Sequence, residues 1–165
     1  MGTASDADPG NPPTGSDGAT RIVEVGAKPE TQREAIAEAW LVTTPETVGA
    51  LVAGTRKGSP LESARLAGVI GAKRTPDLLP HCHPVRVTGA EVRIEPDEEG
   101  GRIHVHTTVR AIDRTGVEME ALTAAAVAAL SLYDTAKAFD RAARIEGVRL
   151  LAKSGGKSGD YRAQT

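Results

Sequence analysis

Two runs in the middle of the chain leave it the least freedom. "VRVTGAEVRIEP" (85–96) and "RIHVHTTVRAID" (102–113) alternate apolar and polar residues, and only "DEEGG" separates them. Alternation places every second side chain on one face of an extended strand, and a short Gly-rich link between two such runs makes an antiparallel hairpin. A sheet with one buried face is therefore expected, and something must cover that face.

The flanking segments supply the cover. "TPETVGALVAG" (44–54) reads as a short helix with Thr44 as N-cap, Pro45 in its first turn and Gly54 at its end. After the loop "TRKGSP", the stretch "LESARLAGVIGAKRT" carries Leu61, Ala64, Leu66, Ala67 and Ile70 on a helical period and is expected to break at Pro76. Residues 116–142 read as one long alanine-rich helix, and "EGVRLLAK" (146–153) as a closing strand. "RIVEV" (21–25) reads as extended. "TQREAIAEAWLV" (31–42) is ambiguous: Ala and Glu favour a helix, whereas Ala35, Ala37, Ala39 and Leu41 alternate as a buried strand would. The order points to an α+β domain, an antiparallel sheet with helices on one face.

The chain has 165 residues, enough for one domain, and residues 1–20 have almost nothing to bury and are expected to be disordered. A formal charge of -2 and an aromatic content of 2% leave neither a basic field nor a stacking platform for nucleic acid. One cysteine, Cys82, excludes an internal disulfide and fits a reducing compartment. There is no signal-peptide pattern and no apolar run long enough to span a membrane, so a soluble cytoplasmic protein is expected.

Near the end lies "LLAKSGGKSGDY" (150–161). It is no Walker loop, since Leu151 stands where that motif needs a glycine and too little chain follows to build the helix that such a loop opens. Its glycines and lysines suit either anion binding or a solvated tail. Lys57, Lys73, Arg74, Lys137, Lys153 and Lys157 all sit at loops or helix ends, and together they could surround one multiply charged phosphate ester. On the long helix, Asp134 and Lys137 are i and i+3 neighbours, either a surface ion pair or an acid and base that tune each other. Glu120 lies on nearly the same face as Asp134 but fourteen residues away, roughly 21 Å along the axis, too far to share one reacting atom. His104 and His106 are expected to line a sheet face. His81 and His83, beside Cys82 in a loop, are better placed to bind something, but no third metal ligand can be assigned.

Three separated stretches, "KGSPLESARLAGVIGAKRTPDLLPHCHPV", "TGVEMEALTAAAVAALSLYD" and "VRLLAKSGGKSGDY", closely resemble the MoaC family of cyclic pyranopterin monophosphate synthases, which act in molybdenum cofactor biosynthesis. The resemblance covers residues 21–161. It implies a ferredoxin-like α+β fold, with residues 31–42 as a strand, assembled as a homohexamer (a trimer of dimers) with active sites at subunit interfaces. It implies a lyase that converts a cyclised dihydro-GTP triphosphate, supplied by an upstream radical enzyme, to cyclic pyranopterin monophosphate and pyrophosphate, with neither a redox cofactor nor a catalytic metal.

By the same resemblance, Asp134, Lys57 and Lys137 carry catalysis, and His81, Cys82, His83, Met119, Glu120 and Lys153 contact substrate; Lys73, Arg74 and Lys157 are added for their charge. Glu120 and Asp134 then serve different sites, or one site from two chains. The chain departs from the family pattern at Glu24, Ser59 and His81. Those departures motivate a rival, a family member that binds the triphosphate without turning it over; a metal-dependent phosphohydrolase built on the His-x-His pairs is another.

Overall fold

A computed structural model describes residues 20, 22–157 and 159–164. The expectation of disorder over residues 1–20 therefore falls, Thr20 apart, outside the described residues. The elements run β1 (Thr31–Val42), α1 (Pro45–Ala53), α2 (Pro60–Leu78), β2 (Val87–Asp97), β3 (Arg102–Asp113), α3 (Glu118–Ala136), β4 (Arg144–Ser154) and a two-residue β5 (Tyr161–Arg162). All strand pairs are antiparallel, in the order β2-β3-β1-β4-β5. With β5 set aside and α1 and α2 sharing one helical layer position, this is the β-α-β-β-α-β ferredoxin-like arrangement.

The ambiguous stretch is the central strand. Ala35, Ala37, Ala39 and Leu41 are all fully buried against α3, whose own buried face is Ala121, Ala124, Ala125, Ala128 and Ala129. Two alanine surfaces let helix and sheet approach closely, and that burial overrides the helical propensity of the same residues. On β3, Ile103, Val105, Thr107, Val109 and Ala111 face the same core.

Three expectations need correction. Helix α2 does not stop at Pro76 but continues to Leu78, with the Leu79 N–H donating to the Thr75 carbonyl at 3.0 Å; Pro76 removes only one donor from the final turn. Of the large apolar residues read on its helical period, only Leu61 packs against the core. Leu66 and Ile70 are exposed, whereas Ala64, Gly68, Gly71, Ala72 and Thr75 are buried. A Cβ on Gly68 would lie 3.1 Å from the Ala124 carbonyl, and one on Gly71 3.2 Å from that of Thr123, so the α2–α3 crossing depends on small residues. Finally, α3 ends at Ala136, with Lys137 as its C-cap, rather than running to residue 142. Residues 22–25 join no strand of the sheet.

The face of the sheet away from the helices is polar. There the buried Glu38 carboxylate accepts from Arg149 Nε at 2.6 Å and His104 Nε2 at 2.8 Å, and His104 stacks on Trp40 with 4.0 Å between ring centroids. Burial opposes ionisation of Glu38, and these two donors outweigh it, holding its carboxyl below the usual range. His104 and His106 line this face, as their alternation in the sequence indicates. Among the described residues no helix is long and apolar enough to cross a membrane.

Candidate active site

Most of the residues singled out above, though not Lys73 and Arg74, gather at the two ends of α3. At the C-terminal end a cleft of about 620 Å³ is lined on one side by Lys57, Gly58 and Ser59 and on the other by Asp134, Thr135 and Phe139. Local chemistry shapes the first wall. Helix α1 stops at Gly54 (φ 87°), and residues 55–58 close a tight turn in which Thr55 and Gly58 exchange backbone hydrogen bonds of 2.9 and 3.0 Å. Gly58 takes φ 110°, a region that side chains disfavour. Lys57 is thereby presented at the tip, its N–H donating to Thr55 Oγ1 at 3.2 Å. Ser59, on the same wall, caps α2, accepting the Glu62 N–H at 3.3 Å.

On the second wall Lys137 Nζ donates to Asp134 Oδ1 at 2.6 Å, and both side chains are exposed. The hydrogen bond from Lys137, then its charge and that of Lys57, hold the Asp134 carboxyl below the usual range, and Asp134 in turn raises Lys137. In the single chain the two groups are thus pushed apart from neutrality. Proton transfer between them and a substrate needs the pair to be desolvated, which would draw the two values together.

At the N-terminal end a pocket of about 550 Å³ is bounded by the loop 79–85 and the first turn of α3. His81, Cys82, His83, Met119 and Glu120 all line it. Glu120 is 1% exposed; its Oε1 accepts from Cys82 Sγ at 3.6 Å, and its Oε2 has no partner among the described residues. Burial first, and then the charges of Glu118 and Asp113, push its carboxyl up against the bonds it accepts. Burial, with Glu120 beside it, likewise pushes the Cys82 thiol up to about 11. His83 Nε2 donates to the Val23 carbonyl at 2.7 Å, and His81 is exposed. Lys153, on β4, lines neither this pocket nor the cleft adjoining it but pairs at 3.0 Å with Glu118, which borders both.

Glu118 also borders a larger adjoining cleft, about 870 Å³, whose other walls carry Lys28, Arg33, Arg114 and Lys157. Arg33 is held by three carbonyls, donating to Asp113, Arg114 and Gly155 at 3.4, 3.3 and 3.3 Å. The Nε of Arg114 is buried with no hydrogen-bond partner among the described residues. The Gly-rich C-terminal stretch is neither a P-loop nor a loose tail. It folds back so that the Ala163 N–H donates to the Leu151 carbonyl at 2.8 Å, and it delivers Lys157 to this cleft. Gly155 and Gly156 take φ 89° and 85°, and a Cβ on Gly156 would collide with the Arg33 guanidinium.

Sequence reading missed Lys28, Arg33 and Arg114. No local spacing ties them to the glycines, since Arg33 and Gly155 are 122 residues apart, and Arg33 sits between Gln32 and Glu34 in a stretch where a charged residue is unexceptional. Lys73 and Arg74, conversely, line none of these three clefts. Arg74 pairs with Asp77 at 3.0 Å on the exposed surface of α2. Among the described residues no group of three His, Cys, Asp or Glu side chains is disposed to hold a metal ion.

The arrangement is therefore a Lys–Asp–Lys cleft at one end of α3, and at the other a pocket with a raised, half-partnered carboxyl beside a cationic cleft. The sequence profile of the MoaC family matches residues 22–156. Similar chains named cyclic pyranopterin monophosphate synthase occur in Deinococcus radiodurans, at 54% identity over 88% of this chain and 86% of that one, and in Parvibaculum lavamentivorans, at 49% over 89% and 92%. A third, from Brucella ovis, is 50% identical over 87% and 88%. The chain belongs to the MoaC family.

Proposed function

We propose that this chain is a cyclic pyranopterin monophosphate synthase, a lyase of molybdenum cofactor biosynthesis that converts cyclised dihydro-GTP to cyclic pyranopterin monophosphate with release of pyrophosphate. The observation that carries the reading is the meeting of Lys57, Asp134 and Lys137 at one cleft in a chain of this family. Ring opening and reclosure need protons moved at defined atoms, and two lysines bracketing a carboxylate supply a donor and an acceptor once water is excluded. Departure of pyrophosphate needs its charge neutralised, and the cleft of Lys28, Arg33, Arg114 and Lys157 is built for a polyphosphate.

One chain alone holds these parts too far apart. We assign a complete site to two protomers, the Lys57–Asp134–Lys137 cleft of one facing the Cys82–Glu120 pocket and cationic cleft of the other, within a homohexamer built as a trimer of dimers. Support for this comes from the outward side of the helix layer, where Leu66, Ile70 and Leu130 are exposed between the two ends of α3. In such an assembly Lys73 and Arg74 act across the interface, His81 and His83 border the bound substrate, and residues 21–161 form the single synthase domain. The substrate comes from an upstream radical enzyme in the cytoplasm.

Ser59 does not favour the rival of binding without turnover, because its side chain is committed to capping α2, a role that an aspartate there would fill equally. The test is to incubate the purified chain and Asp134→Asn with the cyclised intermediate and follow both products by mass spectrometry. Equal amounts of pyranopterin and pyrophosphate from the wild type alone support the proposal. Binding without either product would overturn it.

A further inference from the structure

Immediately after the turn that carries Lys137 and Phe139, the Asp140 carboxylate is divided between two donors. Oδ1 accepts the Ala142 N–H at 2.8 Å, and Oδ2 accepts the Thr43 hydroxyl at 2.7 Å. Thr43 lies 97 residues earlier, between β1 and α1. Its own N–H donates to the Gly101 carbonyl at 2.8 Å in the β2–β3 turn, and the next residue, Thr44, caps α1 by accepting the Thr47 N–H at 3.2 Å. One hydroxyl therefore joins the origin of α1 to the exit of α3.

These are the two elements that form the walls of the lysine cleft. Lys57 hangs from the far end of α1, and Asp134 and Lys137 from the end of α3. Among the described residues no side-chain hydrogen bond links the 55–58 turn directly to the last turn of α3. We propose that Thr43 and Asp140 are positioning residues for the reaction, their bond setting the distance of Lys57 from the Asp134–Lys137 pair; this rests on the synthase reading above. The leverage is geometric. The nine residues of α1 span about 13 Å, so a tilt of roughly 5° at Thr43 displaces the far end by about 1 Å. Misplacing a reacting group by about 1 Å costs on the order of a hundredfold in rate.

The experiment is steady-state kinetics of the full chain on cyclised dihydro-GTP for Thr43→Val, Thr43→Ser, Lys57→Ala and the Thr43→Val/Lys57→Ala double variant. Thr43→Val is expected to lower kcat roughly ten- to a hundredfold with KM within about twofold of wild type, and Thr43→Ser to restore it. In the Lys57→Ala background the same substitution should cost little more, because its effect runs through the placement of Lys57. A general loosening of the fold would lower kcat equally in both backgrounds, and that result, an unchanged kcat in Thr43→Val, or failure of Thr43→Ser to restore activity, overturns the proposal. Should Thr43→Val not fold, Asp140→Asn takes its place in the same comparison. An inert wild-type chain overturns the synthase reading itself and the positioning role with it, a result distinguishable from an active wild type indifferent to Thr43.

Discussion

Asp134 and Glu120 stand at opposite ends of one helix, on nearly one face, and their carboxyls are displaced in opposite directions. Asp134 is exposed and held low by the ammonium of Lys137. Glu120 is buried and pushed up, with one oxygen unpartnered. The helix and the residue class are shared; what differs is access to water. An exposed carboxyl takes its charge state from a partner, whereas a buried one takes it from the cost of desolvation. The first is ready to stabilise positive charge and the second to give up or share a proton, and a two-chain site would place both beside one substrate.

The largest effect should come from removing the exposed member. Asp134→Asn is expected to lower turnover roughly a hundred- to ten-thousandfold while leaving the melting temperature nearly unchanged, since its pairing with Lys137 is exposed and such pairs add little stability. Product formation and calorimetry check the two halves separately; a collapse of stability alongside activity would show that the carboxylate is structural. Next in size is complementation. Mixing inactive Glu120→Ala and Asp134→Asn chains under conditions that exchange subunits should recover part of the wild-type activity, because some dimers then contain one intact site. No recovery despite demonstrated exchange would place both carboxyls in the same chain's work.

Glu120→Gln sharpens the contrast through stability. A carboxyl whose folded pKa is raised is protonated in both states at low pH and costs nothing there. As pH rises from the ordinary carboxyl range through the raised value, the folded state loses an increasing part of its stability. The glutamine variant should therefore be more stable than wild type at neutral pH by about 1–3 kcal/mol and should flatten that fall, as denaturant titrations across the range would read. A wild type whose stability rises over the same interval would contradict the burial argument. The smallest effect concerns Cys82. With its thiol pushed up to about 11, alkylation by iodoacetamide should be slow at neutral pH, and Glu120→Gln should speed it by removing the adjacent carboxylate. Rapid labelling of the wild type would show the thiol to be poised rather than inert.

Much of the fold can be read locally. The hairpin follows from alternation in residues 85–96 and 102–113, and the start of α1 from Thr44 and Pro45. Pro76 misleads because the rule it invokes holds for a helix interior, whereas here the helix has only two residues left to run. Leu66 and Ile70 mislead because periodicity shows that a helix has an apolar face without saying which neighbour covers it. The N-terminal pocket is legible only through family resemblance, since nothing in the spacing of Cys82 and Glu120 brings them together. Of the cationic cleft only Lys157, in its Gly-rich stretch, is visible in the sequence; Lys28, Arg33 and Arg114 join it through the fold alone.

What the sequence alone determined are properties carried by residues within a turn or two of each other: strand alternation, helix caps, the i, i+3 spacing of Asp134 and Lys137, and the motifs that name the family. Tertiary structure decided the rest. It made residues 31–42 a strand because their alanines could be buried against those of α3, and it set Arg33 among the carbonyls of Asp113, Arg114 and Gly155. It also gave Asp134 and Glu120 opposite charge preferences. These outcomes depend on burial and on contacts between residues as much as 122 apart, for which a linear chain holds no local signal because the free energy that selects them exists only once the layers have packed.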